Sequence, residues 1–338
     1  MWNAESKTVG ICYFGTKGGA PRQLLNLVKT SVKNGYKPLL FLSDKNELLE
    51  EFSQFQLQIT SYEIPSGLNL ALFNYRKRND FKKRFISDVS KNTIDRLYFL
   101  MPHPWDFLTY KRLSKLNIEI WRAVHDLKPH SGDIWPNRFT VLRMIKNADV
   151  LVTFSRYVAT NLKTDKLVLI DRIIESGQSS RSAEKNPHLI LVIGRMKKYK
   201  NLQILEEVMG LLPTNYRLVV AGLGSRKLLN TPRVENVDRW LSNTEIESLI
   251  DKAGIVLLPY KEASQSGVIP LATSRSTPVV ITAAGGLQEQ IVPGVTGILA
   301  VDASAKSISR AILDADKVTW PDMMHQRDNV SFLKRLFS

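Results

Sequence analysis

A single cysteine, Cys12, stands in a chain of 338 residues. One thiol excludes an intramolecular disulfide framework and a thiolate zinc cage, and it fits a reducing compartment. No run approaches the roughly 18–20 uncharged apolar residues that cross a bilayer. The opening MWNAESKTVGICYFG leads straight into a strand pattern and lacks the layout of a signal peptide. The expectation is a protein that is soluble or lies on a surface. Acidic residues are also short: 32 against 47 Lys and Arg, a net charge of +15. So basic a chain seeks polyanions, whether nucleic acid, an anionic membrane face or phosphorylated small molecules, and composition does not choose among them. The apolar fraction is ordinary at 43%, enough to build one large core or two medium ones.

Short apolar strands alternate with amphipathic helices, twice over. In the first half TVGICYFG (8–15), PLLFLS (38–43), DRLYFLM (95–101), IEIWRAVHD (118–126) and ADVLVTFS (148–155) read as strands, and RQLLNLVKTSVKNG (22–35) as a helix stopped by Gly35. The pattern restarts at HLILVIGR (188–195), followed by helix NLQILEEVMGLL (201–212), strand YRLVVAGLG (216–224) and helix TEIESLIDKAG (244–254). IVLLPY, TPVVIT and TGILAV supply three more strands. Such alternation predicts βαβ units and parallel sheets covered on both faces. The expected division is 1–172, a polar Ser/Gly-rich linker at 173–187, and 188–318. Two doubly wound domains place a ligand in the cleft between them, at the carboxyl ends of the strands.

Three stretches can carry chemistry. GTKGGAPRQLL (15–25) is a glycine loop between strand and helix, with Gly18 and Gly19 where a backbone can approach an anion, or simply turn. It is neither GxGxxG nor a P-loop. IGRMKKYKN (193–201) sets Arg195 and Lys200 either side of a short loop after Gly194; a guanidinium fork and an ammonium suit a diphosphate, though a solvated basic loop reads the same way. PYKEASQSGVIPLATSRSTPVV (259–280) puts one carboxylate, Glu262, and then Ser266, Gly267 and Val268 at the mouth of a buried strand. ITAAGGLQEQIVPGVTGIL (281–299) follows, with Glu289 after a glycine pair.

The order GRxxxxK, AGxG, a Glu with small residues, TPVV, GGxxE, GxxG resembles the retaining glycosyltransferases of family 4, of GT-B fold. The resemblance covers nearly the whole chain. It is strongest from about 188 to 300, with GGA (18–20), HD (125–126) and ADVLVTFSRYVATNL (148–162) in matching places. It implies an α/β, GT-B architecture of two Rossmann-like domains: an N-terminal acceptor domain, and a C-terminal domain for the nucleotide sugar. The C-terminal helix (319–338) would pack back on the first domain. It implies that Glu262 contacts the donor sugar, that backbone N–H groups of Ser266, Gly267 and Val268 meet the diphosphate, and that Arg195 and Lys200 neutralise it. His125 would sit beside the sugar where the acceptor arrives. With two cations at the diphosphate, no metal or other cofactor is expected. Preorganised donors aimed at charge on a departing group lower the barrier. One departure stands out: the second family Glu, eight positions after Glu262, is Pro270. Glu289 is a candidate substitute, or only a helix N-terminal acid. His103, between Pro102 and Pro104, is a candidate for the acceptor cleft, and the Asp314–Asp316 pair reads as a surface face.

The densest basic segment, 67–89, alternates Leu70, Phe73, Phe81 and Phe85 with Arg76, Lys77, Arg78, Lys82, Lys83 and Arg84. It reads either as a helix for an anionic membrane face or as an ordinary solvated helix. The expected activity is transfer of a sugar from a nucleotide-diphosphate donor to a lipid-linked glycan acceptor in bacterial surface polysaccharide or lipopolysaccharide assembly. The expected location is the cytoplasm, peripheral on the inner face of the membrane. The alternative is an inactive scaffold or partner subunit, which Pro270 favours. Nucleic acid is disfavoured because no recognised binding motif accompanies the charge.

Overall fold

The computed structural model describes residues 7–64, 75–128, 137–171, 185–225, 231–320 and 330–338. Its first sheet holds β1 (Val9–Tyr13), β2 (Leu39–Ser43), β3 (Ile59–Tyr62), β4 (Arg96–Phe99), β5 (Glu119–Ala123), β6 (Val150–Thr153) and β7 (Leu167–Ile170), in the order β3-β2-β1-β4-β5-β6-β7. The second holds β8 (Asn186–Ile193), β9 (Arg217–Ala221), β10 (Val234–Val237), β11 (Ala253–Leu258), β12 (Val279–Thr282) and β13 (Gly297–Ala300), in the order β10-β9-β8-β11-β12-β13. Every pairing is parallel. Both domains are therefore doubly wound, and in each the strand order reverses beside the first strand, at β1/β4 and β8/β11.

The runs that form central strands are apolar without alternation because helices cover both faces. Every residue of β1, β4, β6 and β12 is buried. The register row Phe41–Cys12–Phe99–Arg122–Leu151 lies on one face of the first sheet. There it meets Phe81, Phe85 and Val89 of the helix Tyr75–Lys91, and Val141 and Met144 of the helix Arg138–Lys146. The opposite face packs Leu24, Leu25 and Val28 of the helix Gly19–Lys33.

The same opposite face receives the C-terminal helix Val330–Phe337, through Phe332, Leu333, Leu336 and Phe337. Its last carbonyls are gripped by a buried cation. Arg96 donates to Arg335 O at 2.7 Å and Leu336 O at 2.5 Å, stacks on Trp121 at 4.3 Å and pairs with Glu119 at 2.6 Å. A positive charge at a helix C-terminus is favoured by the dipole as well as by the hydrogen bonds. Of the expected linker at 173–187, residues 173–184 lie outside the described residues. Lys185 is already anchored on Thr277 Oγ1 at 2.7 Å, and β8 opens at Asn186.

Candidate active site

The two strand-order reversals face each other, and the loops leaving their strands bring the candidate groups together. From the first domain come the loop after β1 (14–18) and His125 after β5, while His103, after β4, packs against Phe14 and Trp105 of its own domain. From the second come Gly194–Lys200 after β8 and Tyr260–Gly267 after β11. Contacts between described residues join the domains around this cleft. Arg22 Nη2 meets Glu247 Oε1 at 2.5 Å, Lys128 Nζ lies 4.0 Å from Glu262 Oε2, and Glu289 reaches the start of the helix Arg156–Asn161.

Arg195 and Lys200 sit at different depths. Lys200 is buried; its ammonium donates to Ile193 O at 3.0 Å and lies 5.1 Å from the centre of the Tyr260 ring. Burial holds its pKa below the ordinary lysine value, opposed by Tyr199 and assisted by the neighbouring Arg195 cation. Gly194 has φ +103°, and a Cβ there would stand 2.9 Å from Lys200 Nζ, so glycine admits the ammonium beneath the loop. Arg195 is exposed. Its charge is felt by Tyr199 in its own domain, whose hydroxyl burial pushes up to about 12. It is also felt by Tyr13 across the cleft, where it opposes the upward shift that burial and Glu47 impose. One cation is therefore fixed under the loop and a second is free to meet a ligand at its mouth.

Glu262 is half-buried, with Lys128 of the first domain as its cation. The stretch after it is held by a residue the motifs did not single out. Gln290 accepts from Ser266 N–H at 2.7 Å and donates to Ser266 O at 3.0 Å. Val268 N–H is directed at Ser266 Oγ at 3.3 Å. Ser266 and Val268 thus spend their N–H groups inside the loop, where the resemblance assigned them to a diphosphate. Gly267 between them is exposed, with no atom within 4 Å of where a Cβ would stand. Pro270 is buried in the first turn of the helix Val268–Ser274, where its missing N–H leaves no helical bond unmade.

Other expected residues are engaged elsewhere. Both oxygens of Glu289 accept from the helix start of the other domain, Oε2 from Arg156 N–H at 2.6 Å and Oε1 from Tyr157 N–H at 2.7 Å. In this structure the carboxylate is an interdomain helix cap instead of a donor contact, because two unpaired N–H groups at a dipole's positive end hold it. In the glycine loop, Gly18 N–H donates to Glu47 Oε1 at 2.9 Å, so a carboxylate already stands where the loop offered room for a phosphate; Gly19 opens the helix behind it. His125 is buried, with Nε2 2.8 Å from Leu100 O and its ring 4.4 Å from that of Phe154. Burial lowers its pKa, so the ring is neutral, Nε2–H donates to the carbonyl, and Nδ1 is left as an acceptor. Asp314 is exposed on Lys317, while Asp316 accepts from the Tyr216 hydroxyl.

The membrane reading of 67–89 changes with the packing. Phe81 and Phe85 are buried in the first domain's core, against Phe14, Phe41 and Tyr62; residues 67–74, with Leu70 and Phe73, lie outside the described residues. The aromatic spacing of this helix is a core stripe, and its exposed side is charged and polar. Among the described residues no group of three or more His, Cys, Asp or Glu could hold a metal ion, and no helix is long and apolar enough to cross a membrane.

Residues 187–315 match the family described as glycosyl transferases group 1. The chain is 25% identical over 227 residues to D-inositol 3-phosphate glycosyltransferase of Corynebacterium aurimucosum, covering 56% of this chain and 54% of the relative. It therefore spans about half the length of that curated relative. Among solved structures, Anabaena Alr3699/HepE in complex with UDP and glucose superposes with a TM-score of 0.74 at 14% identity, covering 97% of each chain. A glycosyltransferase from Rickettsia africae does so with 0.69 at 16% identity, covering 99% of each. At such identities the likeness is one of fold, and the fold of this chain is GT-B: two Rossmann-like domains with parallel sheets of seven and six strands.

Proposed function

We propose that the chain is a retaining glycosyltransferase that moves a sugar from a nucleotide-diphosphate donor to an acceptor hydroxyl. The observation that carries this is the pairing of exposed Arg195 with buried Lys200 at the β8/β11 reversal, beside Glu262 and the open Gly267. The match of residues 187–315 to a glycosyltransferase family supports it, as does the UDP held by a protein of the same fold. As the donor bond breaks, negative charge grows on the diphosphate, and the two cations, one fixed by burial and one at the mouth, stabilise it more in the transition state than in the ground state. They supply the positive charge that such a step needs without calling on a metal. Glu262 orients the sugar hydroxyls. His125, neutral and held by Leu100 O, shapes the acceptor side and presents an acceptor nitrogen. The acceptor we infer is a lipid-linked glycan of bacterial surface polysaccharide or lipopolysaccharide assembly, used at the inner face of the membrane.

The test is a thermal-shift and calorimetric screen of nucleotide diphosphates and their sugar conjugates against wild type and Arg195→Ala. A ligand at about 100 times its Kd adds roughly 2.7 kcal/mol of stability. Loss of a charge-assisted contact worth about 1.5–3 kcal/mol weakens binding roughly 10- to 150-fold. Because Arg195 is exposed, the unliganded melting temperature should hardly move. If no nucleotide stabilises the wild type, the reading fails, and Pro270 then favours a relative that keeps the fold without turnover.

A further inference from the structure

One face of the first domain is built from three helices in a row, Tyr75–Lys91, Tyr110–Leu113 and Arg138–Lys146, all packed on the side of the sheet that carries Cys12, Phe99 and Leu151. Their outward side chains are overwhelmingly basic: Arg76, Lys83 and Arg84 on the first, Lys111 and Arg112 with the following Lys115 on the second, and Arg138, Arg143 and Lys146 on the third. The acids on the first helix are the exposed Asp80, and Asp88, which accepts from the Tyr62 hydroxyl. At the end of this basic field stand two large exposed apolar side chains, Phe139 at 69% and Leu142 at 55% exposure.

Scattered apolar residues on a surface need no explanation, but this pair is patterned. Phe139, Leu142, Arg143 and Lys146 recur at three, four and seven residues, a single stripe of the helix, while Thr140, Val141 and Met144 turn inward. The side of the helix that would ordinarily be polar throughout therefore carries an aromatic and a leucine ringed by cations. A polyphosphate alone would need only the cations. A surface that offers anionic groups with a hydrocarbon layer just beneath them satisfies both parts of the pattern.

We propose that this face docks on an anionic lipid bilayer, with Phe139 and Leu142 entering the headgroup boundary and the three-helix basic field lying on it. The helix Arg138–Lys146 follows β5, so its first turn, with Phe139, lies at the carboxyl edge of the sheet, the edge that borders the cleft. Docked this way, the cleft opens beside the bilayer, where a lipid-linked acceptor would emerge. That last point rests on the glycosyltransferase reading; the docking does not, and it is measured without turnover.

The test uses the full chain in flotation with vesicles rich in phosphatidylglycerol and with vesicles of phosphatidylcholine alone. Binding is expected to the anionic vesicles, weakening as salt rises. Phe139→Ser with Leu142→Ser should lower the partition about tenfold or more at an unchanged melting temperature, since neither side chain is packed. Arg138→Gln with Lys146→Gln should lower it about fivefold per charge at low salt. As an independent reading, Phe139→Trp should show a blue-shifted emission on adding anionic vesicles. Absence of vesicle binding overturns the proposal. So does binding that ignores Phe139 and Leu142, and so does an oligonucleotide duplex that binds as tightly and displaces the vesicles.

Discussion

His103 should make the fold sensitive to mild acid, by an amount the structure sets. Its Nδ1 accepts from Trp105 N–H at 3.2 Å, the backbone N–H of His103 donates to Asp106 Oδ2 at 3.1 Å, and its ring stands edge-on to Phe14 at 6.1 Å. An imidazolium has no lone pair for the Trp105 N–H and loses its hydration in this site. Burial accordingly lowers its pKa from 6.5 to about 4. Between those values the unfolded chain binds a proton that the folded chain refuses. The stability is thus fully present above pH 6.5 and is lost as the pH falls toward 4. The loss is about 3 kcal/mol, from 2.5 pH units at roughly 1.4 kcal/mol each. Buried His125, also lowered, adds a loss of the same sign. Carboxylates titrate over part of this range, so the informative quantity is the gap between wild type and His103→Gln, whose amide oxygen can accept from Trp105 N–H without titrating. Urea melts across this range should show that gap shifting by about 3 kcal/mol in favour of the variant as the pH falls. A His103 resonance titrating near 6.5 by NMR, or a gap that does not move with pH, would refute the reasoning.

Glu289→Ala removes the cap from the helix Arg156–Asn161 and one of the ties between the domains. It should cost about 1–2 kcal/mol and speed hydrogen exchange at the Arg156 and Tyr157 amides, while unchanged exchange there would remove the capping role. Gly222→Ala should be far worse than Gly194→Ala. A Cβ at Gly222, where φ is +134°, would meet the Gly194 carbonyl oxygen at 2.3 Å, whereas at Gly194 it meets the movable end of Lys200 at 2.9 Å. Denaturation should place Gly194→Ala about 1–3 kcal/mol below wild type and leave Gly222→Ala without a cooperative transition.

Most strands legible in the sequence are buried on both faces, where unbroken apolar runs such as VGICY and IVLL leave no other reading; the half-buried edge strand β13 was legible too. The strands not foreseen, β3, β7 and β10, are all sheet edges. ITSY and VENV mix polar with apolar residues because one side meets solvent, and LVLI is apolar yet largely exposed. TEIESLIDKAG was expected to stay helical through Gly254, but the helix stops at Lys252 and β11 starts at Ala253 with no loop between them. The stripe Phe81–Phe85 was read with its charges either as a membrane-face helix or as an ordinary solvated one. Periodicity shows that a helix has an apolar side but not what lies against it, and here it is the core. Phe139 and Leu142, two of the apolar side chains left exposed, sit in a segment whose spacing looks like any buried helix.

The candidate site divides in the same way. Arg195, Lys200 and Glu262 could be picked out as candidates because each follows a strand end in a short motif. Gln290 was not, because it lies 24 residues from the Ser266 it holds and only the chain path over β12 brings them together. Its amide pairs with both the N–H and the C=O of Ser266, as a neighbouring strand would, and so fixes the loop between Glu262 and the helix Val268–Ser274. This bears on Pro270. A carboxylate at that position would belong to a helix whose first turn is buried, and would need partners of its own to remain charged there. Proline asks for none and stiffens the entry to the helix. The loop is fixed instead by Gln290 through both backbone groups of Ser266. Glu262 is left as the carboxylate of the loop, with Arg195 exposed across from Tyr13 and Gly267 the open position beside it.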